Sequence, residues 1–148
     1  MTRGVQDERD LVRLLWRKGF AVLRAPASGA STQMPRPDII AGHSGRGVQF
    51  AIEVKTTHDE NLYIARESVS QLIDFAERFG CKPILAIKFK GRGKPWLFVE
   101  PQYLAVTPAL NFKMTFINAL RSGIDFKTLI KEGEQDKLPF EVEKKCMR

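Results

Sequence analysis

The sequence predicts an α/β protein: a single domain in which helices flank a central mixed β-sheet. Three observations carry this. Residues 5–18 and 68–79 place apolar side chains at helical spacing, residues 48–55 alternate strictly, and shorter strand-like runs follow. The order helix, strands, helix, strands builds a sheet with helices packed on it. At 148 residues and 43% hydrophobic content the chain can enclose one core but not two. Within that domain the core is read at about 1–100, with 101–148 an extension of uncertain role.

Val5, Glu8, Leu11, Val12 and Leu15 share one helical stripe, the core-facing one, and Gly19 ends the helix. Glu8 is the anomaly, a carboxylate among aliphatics. Asp7, Arg9, Asp10, Arg13 and Arg17 are read on the other faces. Phe20–Ala25 is a short strand, and residues 26–37 form a loop rich in Ser, Gly, Thr and Pro. A second strand starts at Asp38 and leads through the turn GHSGRG into Val48–Lys55. There Val48, Phe50, Ile52 and Val54 point one way; Gln49, Ala51, Glu53 and Lys55 point the other.

Asn61–Ala65 extends the sheet. Ser68 with Gln71 predicts a capping box opening a helix through Phe79, capped by Gly80. Phe75 and Phe79 read as ordinary core. Pro83–Phe89 and Trp96–Val99 are strands joined by the basic turn Lys90–Lys94, which fits either a DNA contact or a solvated hairpin tip. Asn111–Ile117 is strand-like, and Asp125 caps a helix through Lys131.

Charge narrows the partner. The chain carries 24 Lys and Arg against 17 acids, a net +7, and residues 1–131 hold the whole excess. A basic body favours a polyanion, nucleic acid before membrane. No apolar run approaches the roughly 18–20 residues of a membrane span, and Met1–Asp10 is charged, so a soluble, cytoplasmic protein is expected. Two distant cysteines, Cys81 and Cys146, predict free thiols. His43 and His58 fall in or near turns and read as solvent-exposed. The Ser/Gly stretch 28–32 is followed by no GK[ST], so no phosphate-cradling loop and no small-molecule cofactor are expected.

The chemistry concentrates at Pro37-Asp38 and, after 14 intervening residues, Glu53-Val54-Lys55. Spacing by two puts Glu53 and Lys55 on one strand face. An antiparallel neighbour beginning at Asp38 brings its carboxylate to Glu53, and Glu8 can supply a third acid from the helix. Clustered carboxylates repel unless a cation sits between them, and hard oxygen ligands suit Mg2+, with Mn2+ as substitute. Lys55 adds a point charge able to hold a phosphate or stabilise charge developing on it. Metal-assisted phosphodiester hydrolysis is the reading that uses all four groups.

These residues resemble the archaeal Holliday-junction resolvases of the Hjc type, in the PD-(D/E)xK nuclease superfamily. The resemblance runs through Arg3-Gly4, Glu8-Arg9-Asp10-Leu11, Gly19 to Arg24, Pro37 to Gly42, Ile52 to Lys55, Leu62-Tyr63, Phe75 and Arg78-Phe79-Gly80. It implies a restriction-endonuclease-like fold and a homodimer that binds four-way junction DNA and makes paired, symmetric, metal-dependent nicks. It implies Asp38, Glu53 and Glu8 as metal ligands, helped by the Val54 carbonyl, and Lys55 as the catalytic lysine. Arg9 and Arg24 resemble positions facing DNA phosphates, and Arg3 joins them. A serine of the loop before the aspartate completes the set; Ser28 and Ser31 both qualify, and Ser28 is preferred. The family places aromatics of the second helix near its subunit interface. Two alternatives share the same residues: an endonuclease of this superfamily acting on duplex or flap DNA, and a non-catalytic DNA-binding module on the same scaffold.

Overall fold

A computed structural model describes residues 2–26 and 34–131 of the chain, with the side chains of residues 2 and 3 left out. Helix α1 (Thr2–Arg17) opens the fold, followed by strands β1 (Ala21–Arg24), β2 (Ile39–His43), β3 (Val48–Thr57) and β4 (Asn61–Ile64). Helix α2 (Arg66–Phe79) leads to β5 (Lys82–Phe89), β6 (Leu97–Val99) and a short 3-10 turn at Pro101–Tyr103. Strands β7 (Ala105–Val106) and β8 (Phe112–Thr115), then helices α3 (Phe116–Ser122) and α4 (Phe126–Lys131), complete it. The fold is the mixed α/β class the sequence predicts. Its main sheet has the order β1-β2-β3-β5-β6, with β3 and β5 parallel and the other pairs antiparallel.

The alternation in β3 sorts the interior into two layers. Phe50, Ile52 and Val54 pack with Leu11 and Leu15 of α1, whereas Ala51 packs with Val69, Leu72 and Ala76 of α2. Leu11, Leu15, Ile52, Leu85 and Ile87 lose essentially all solvent contact. Each such side chain contributes roughly 1.5–3 kcal/mol of transfer free energy. Central β3 and β5 are covered on both faces, as strands in a parallel pair usually are.

Several expectations are corrected. Asn61–Ile64 does not extend the main sheet; β4 pairs with β8 in a second sheet, β4-β8-β7. Leu62 and Ile64 there face Met114 and α2, a burial unavailable at an edge of the first sheet. Helix α2 starts at Arg66, before the proposed capping box, and its N-cap Ala65 offers no side-chain bond. The Arg66 N–H instead donates to Asn111 Oδ1 at 3.2 Å, a cap 45 residues away in sequence that no local pattern reveals. Phe79 is 53% exposed and not core. His43 is half-buried, its ring edge-on to Phe20 at 5.2 Å, while His58 is exposed.

Residues beyond Pro101 are part of the same packing. Leu104, Met114 and Ala119 join the layer under α2, and Leu129 joins the layer under α1. Asp125 caps α4 by accepting from Thr128 N at 2.8 Å. Among the described residues no helix is long and apolar enough to cross a membrane.

Candidate active site

The antiparallel register pairs Ile39 with Ile52 and ends there, so Asp38 stands opposite Glu53 where β2 and β3 part. Two bonds fix Asp38. Its carbonyl accepts from Ala25 N at 2.8 Å, and its Oδ2 accepts from Val54 N at 2.8 Å. In a strand the N–H and C=O of one residue point the same way, so the Val54 carbonyl also faces the Asp38 side. Glu53 Oε1 lies 3.7 Å from Lys55 Nζ, with Glu53 16% and Lys55 31% exposed.

Burial pushes the Glu53 carboxyl up to about 8, and the adjacent Asp38 carboxylate pushes the same way, by its charge and by a hydrogen bond. Lys55 opposes both without cancelling them. Two acids crowd one low-dielectric space. The pair is therefore a place where a cation would be stabilised, and its hard oxygens fit a divalent ion such as Mg2+.

Glu8 is held elsewhere. Its Oε2 accepts from Arg24 Nε at 2.8 Å, in a pair 19% and 26% exposed respectively. Among the described residues no group of three or more His, Cys, Asp or Glu side chains is close enough to hold a metal. The Glu8 carboxylate is spent on Arg24 of β1. The structure thus brings together Asp38, Glu53 and Lys55 of the four predicted groups. It leaves Glu8 and Arg24 as an ion pair one residue from the Ala25–Asp38 bond. Arg9 is exposed on α1. Ser28, Ser31 and the Arg3 side chain lie outside the described residues.

Asp7, read as an outward residue, is buried at 6% exposure. Its Oδ1 accepts from Lys88 Nζ at 3.3 Å and its Oδ2 lies 3.0 Å from Lys90 Nζ. The spacing did contain this signal, since Asp7, Leu11 and Leu15 form one i, i+4 row.

A mixed sheet with an aspartate, a glutamate and a lysine gathered where two strands diverge has the layout of a PD-(D/E)xK nuclease. The family model described as archaeal Holliday junction resolvase (hjc) matches residues 1–138. The crossover junction endodeoxyribonuclease Hjc of Methanocaldococcus jannaschii is 39% identical over 137 residues, 92% of each chain. Its counterpart in Archaeoglobus fulgidus is 42% identical over 113 residues, 76% of this chain and 79% of its own. The 1.6 Å structure of Archaeoglobus fulgidus Hjc, a Holliday junction resolvase, superposes with TM-score 0.76 and 35% identity, covering 86% of this chain and 99% of that one. The chain belongs to the archaeal Holliday junction resolvase (Hjc) family.

Proposed function

We propose that the chain is an endodeoxyribonuclease that holds four-way junction DNA as a homodimer and nicks two opposing strands symmetrically. The observation that carries this is the half-buried Asp38–Glu53 pair, its Glu53 raised to about 8, beside Lys55 at the open end of β3. Asp38 and Glu53, with the Val54 carbonyl, would hold Mg2+ or Mn2+; Glu8 would add a third acid once freed from Arg24. Such an ion supplies neutralisation of phosphoryl charge and activation of water. Lys55 does its work through position: an ammonium held toward Glu53 stands where charge develops on a phosphate seated over the pair. Asp38, locked by Val54 N, keeps its second oxygen for the site.

A second copy explains symmetry. One site cuts one strand, so two opposing nicks need two sites related by a two-fold axis. The aromatic rings of Phe75 and Phe79 stack at 5.5 Å, and an apolar groove beside them is lined by Trp16, Leu23, Ile40 and Phe79. Trp16 at 66% and Leu23 at 72% exposure leave this face open to such a partner. Pairing doubles the positive charge of +7 per chain, so shape and phosphate charge define the substrate more than base edges do.

A synthetic immobile junction tests the reading, with linear duplex and flapped DNA as competitors and Mg2+ or Mn2+ added. Paired nicks on the junction are expected. Asp38→Asn, Glu53→Gln and Lys55→Ala are expected to lower the nicking rate by roughly a thousandfold or more while junction binding stays within a few fold. Variants that cut at the wild-type rate would show the site to be misassigned; linear duplex cut as well as junction would remove the junction selectivity.

A further inference from the structure

The cluster of Asp7, Lys88 and Lys90 lies outside the candidate active site and has no role in the chemistry above. Two ammonium groups share one buried carboxylate, Lys88 at 3.3 Å and Lys90 at 3.0 Å. The Lys88 ammonium also sits 5.3 Å above the Trp96 ring. The lysine side chains keep 27% and 23% of their surface exposed, against 8% for the Asp7 side chain. Lysine is seldom this enclosed without a partner. Among the described residues one carboxylate faces the two ammonium groups and balances only one of them, so a positive charge is left over, fixed in place and open to an anion's oxygen.

Its address matters. Lys88 pairs in register with Thr56, the residue after Lys55, and Lys90 N donates to Thr57 O at 2.8 Å. Thr56 and Lys55 point to opposite faces of β3, so the lysine pair and Lys55 flank the same end of the sheet from its two sides. Asp7 precedes Glu8 on α1, which ties the cluster to the Glu8–Arg24 pair. A nucleic-acid strand crossing this end meets Lys55 on one side and the surplus charge on the other.

We propose that Lys88 and Lys90 form a preassembled phosphate-binding subsite for the DNA backbone, with Asp7 as the positioning residue that holds both ammonium groups toward it. This rests on the nuclease reading above for its ligand, DNA. Asp7 thereby lowers net charge by one and yet raises affinity, because two unrestrained lysines would have to be ordered by the DNA itself.

Binding of the full chain to a synthetic four-way junction and to linear duplex, without divalent metal and across a salt series, decides it. Lys90→Gln is expected to weaken binding to both DNAs roughly 5- to 10-fold at 0.1 M salt and to flatten the log–log salt slope by about 1, one phosphate contact. Asp7→Asn adds a positive charge and is expected to bind more weakly than wild type; Asp7→Glu recovers most of the loss. Wild-type affinity and slope in Lys90→Gln, or tighter binding by Asp7→Asn as net charge alone dictates, would overturn the proposal. Should Asp7→Asn fail to fold, Lys90→Gln, on a hairpin tip, decides alone. Phosphate contacts are indifferent to junction shape, so a wild-type chain with no preference for the junction counts against the function and not against the subsite.

Discussion

Replacing Glu53 by glutamine removes a charge that the fold holds at a cost. The carboxyl ionises near 4.5 in an unfolded chain and near 8 in the folded one, chiefly through burial and then through Asp38. Below pH 4.5 both states are protonated and Glu53→Gln changes little. Between 4.5 and 8 the unfolded chain is ionised while the folded chain keeps its proton, so wild-type stability falls relative to the variant as pH rises. The fall is about 1.4 kcal/mol per pH unit and levels off above 8 at no more than about 5 kcal/mol. The opposing pull of Lys55, at 3.7 Å and nearly a third exposed, is already contained in that raised value. Urea unfolding of both proteins from pH 4 to 9, without divalent metal and at one protein concentration, reads the difference. Added Mg2+ should then restore the wild type alone, by about 2.7 kcal/mol at a hundredfold excess over its dissociation constant. Parallel stability profiles for the two proteins, or a wild type more stable than Glu53→Gln at pH 8, would refute the assignment of a strained acid pair.

Two further outcomes follow from packing. Phe79→Glu places a charge on the exposed stacked ring face, so sedimentation should show a monomer whose thermal midpoint barely moves; a dimer of unchanged strength would place the interface elsewhere. Gly19 adopts φ 91°, and a β-carbon there would fall 2.7 Å from His43 Nε2. Gly19→Ala should therefore cost on the order of 1–3 kcal/mol and lower the melting midpoint by several degrees; an unchanged melt would mean that His43 moves aside freely.

Much of the fold was legible because the signals are local. Strict alternation in residues 48–55 announced β3, and it also placed Glu53 and Lys55 on one face, where the structure has them. The turn between β2 and β3 set the register that brings Asp38 to Glu53. What the sequence hid depends on distant partners. The start of α2 is set by Asn111, and β4 is drawn into a second sheet by β8, whose apolar residues lie some 50 positions on. Asp7 was misplaced for a different reason: an aspartate on a surface-rich helix is usually outward, and its lysine partners come from β5 and the turn beyond it.

Glu8 and Asp7 together show how α1 is held at its beginning. The stripe of fully buried apolar residues runs through Leu15 and Leu11 and stops there. One turn earlier, where another leucine would continue it, stand two acids, one gripping Arg24 and the other Lys88 and Lys90. Such enclosed ion pairs add little net stability, because desolvation offsets the attraction; what they fix is geometry. An apolar contact at that place would anchor the helix as well and leave the cations free to wander. Acids anchor it and orient the cations. At the end of a sheet meant to meet a polyanion, that difference favours aspartate and glutamate over leucine, and it accounts for carboxylates on the inward side of a helix in a basic protein.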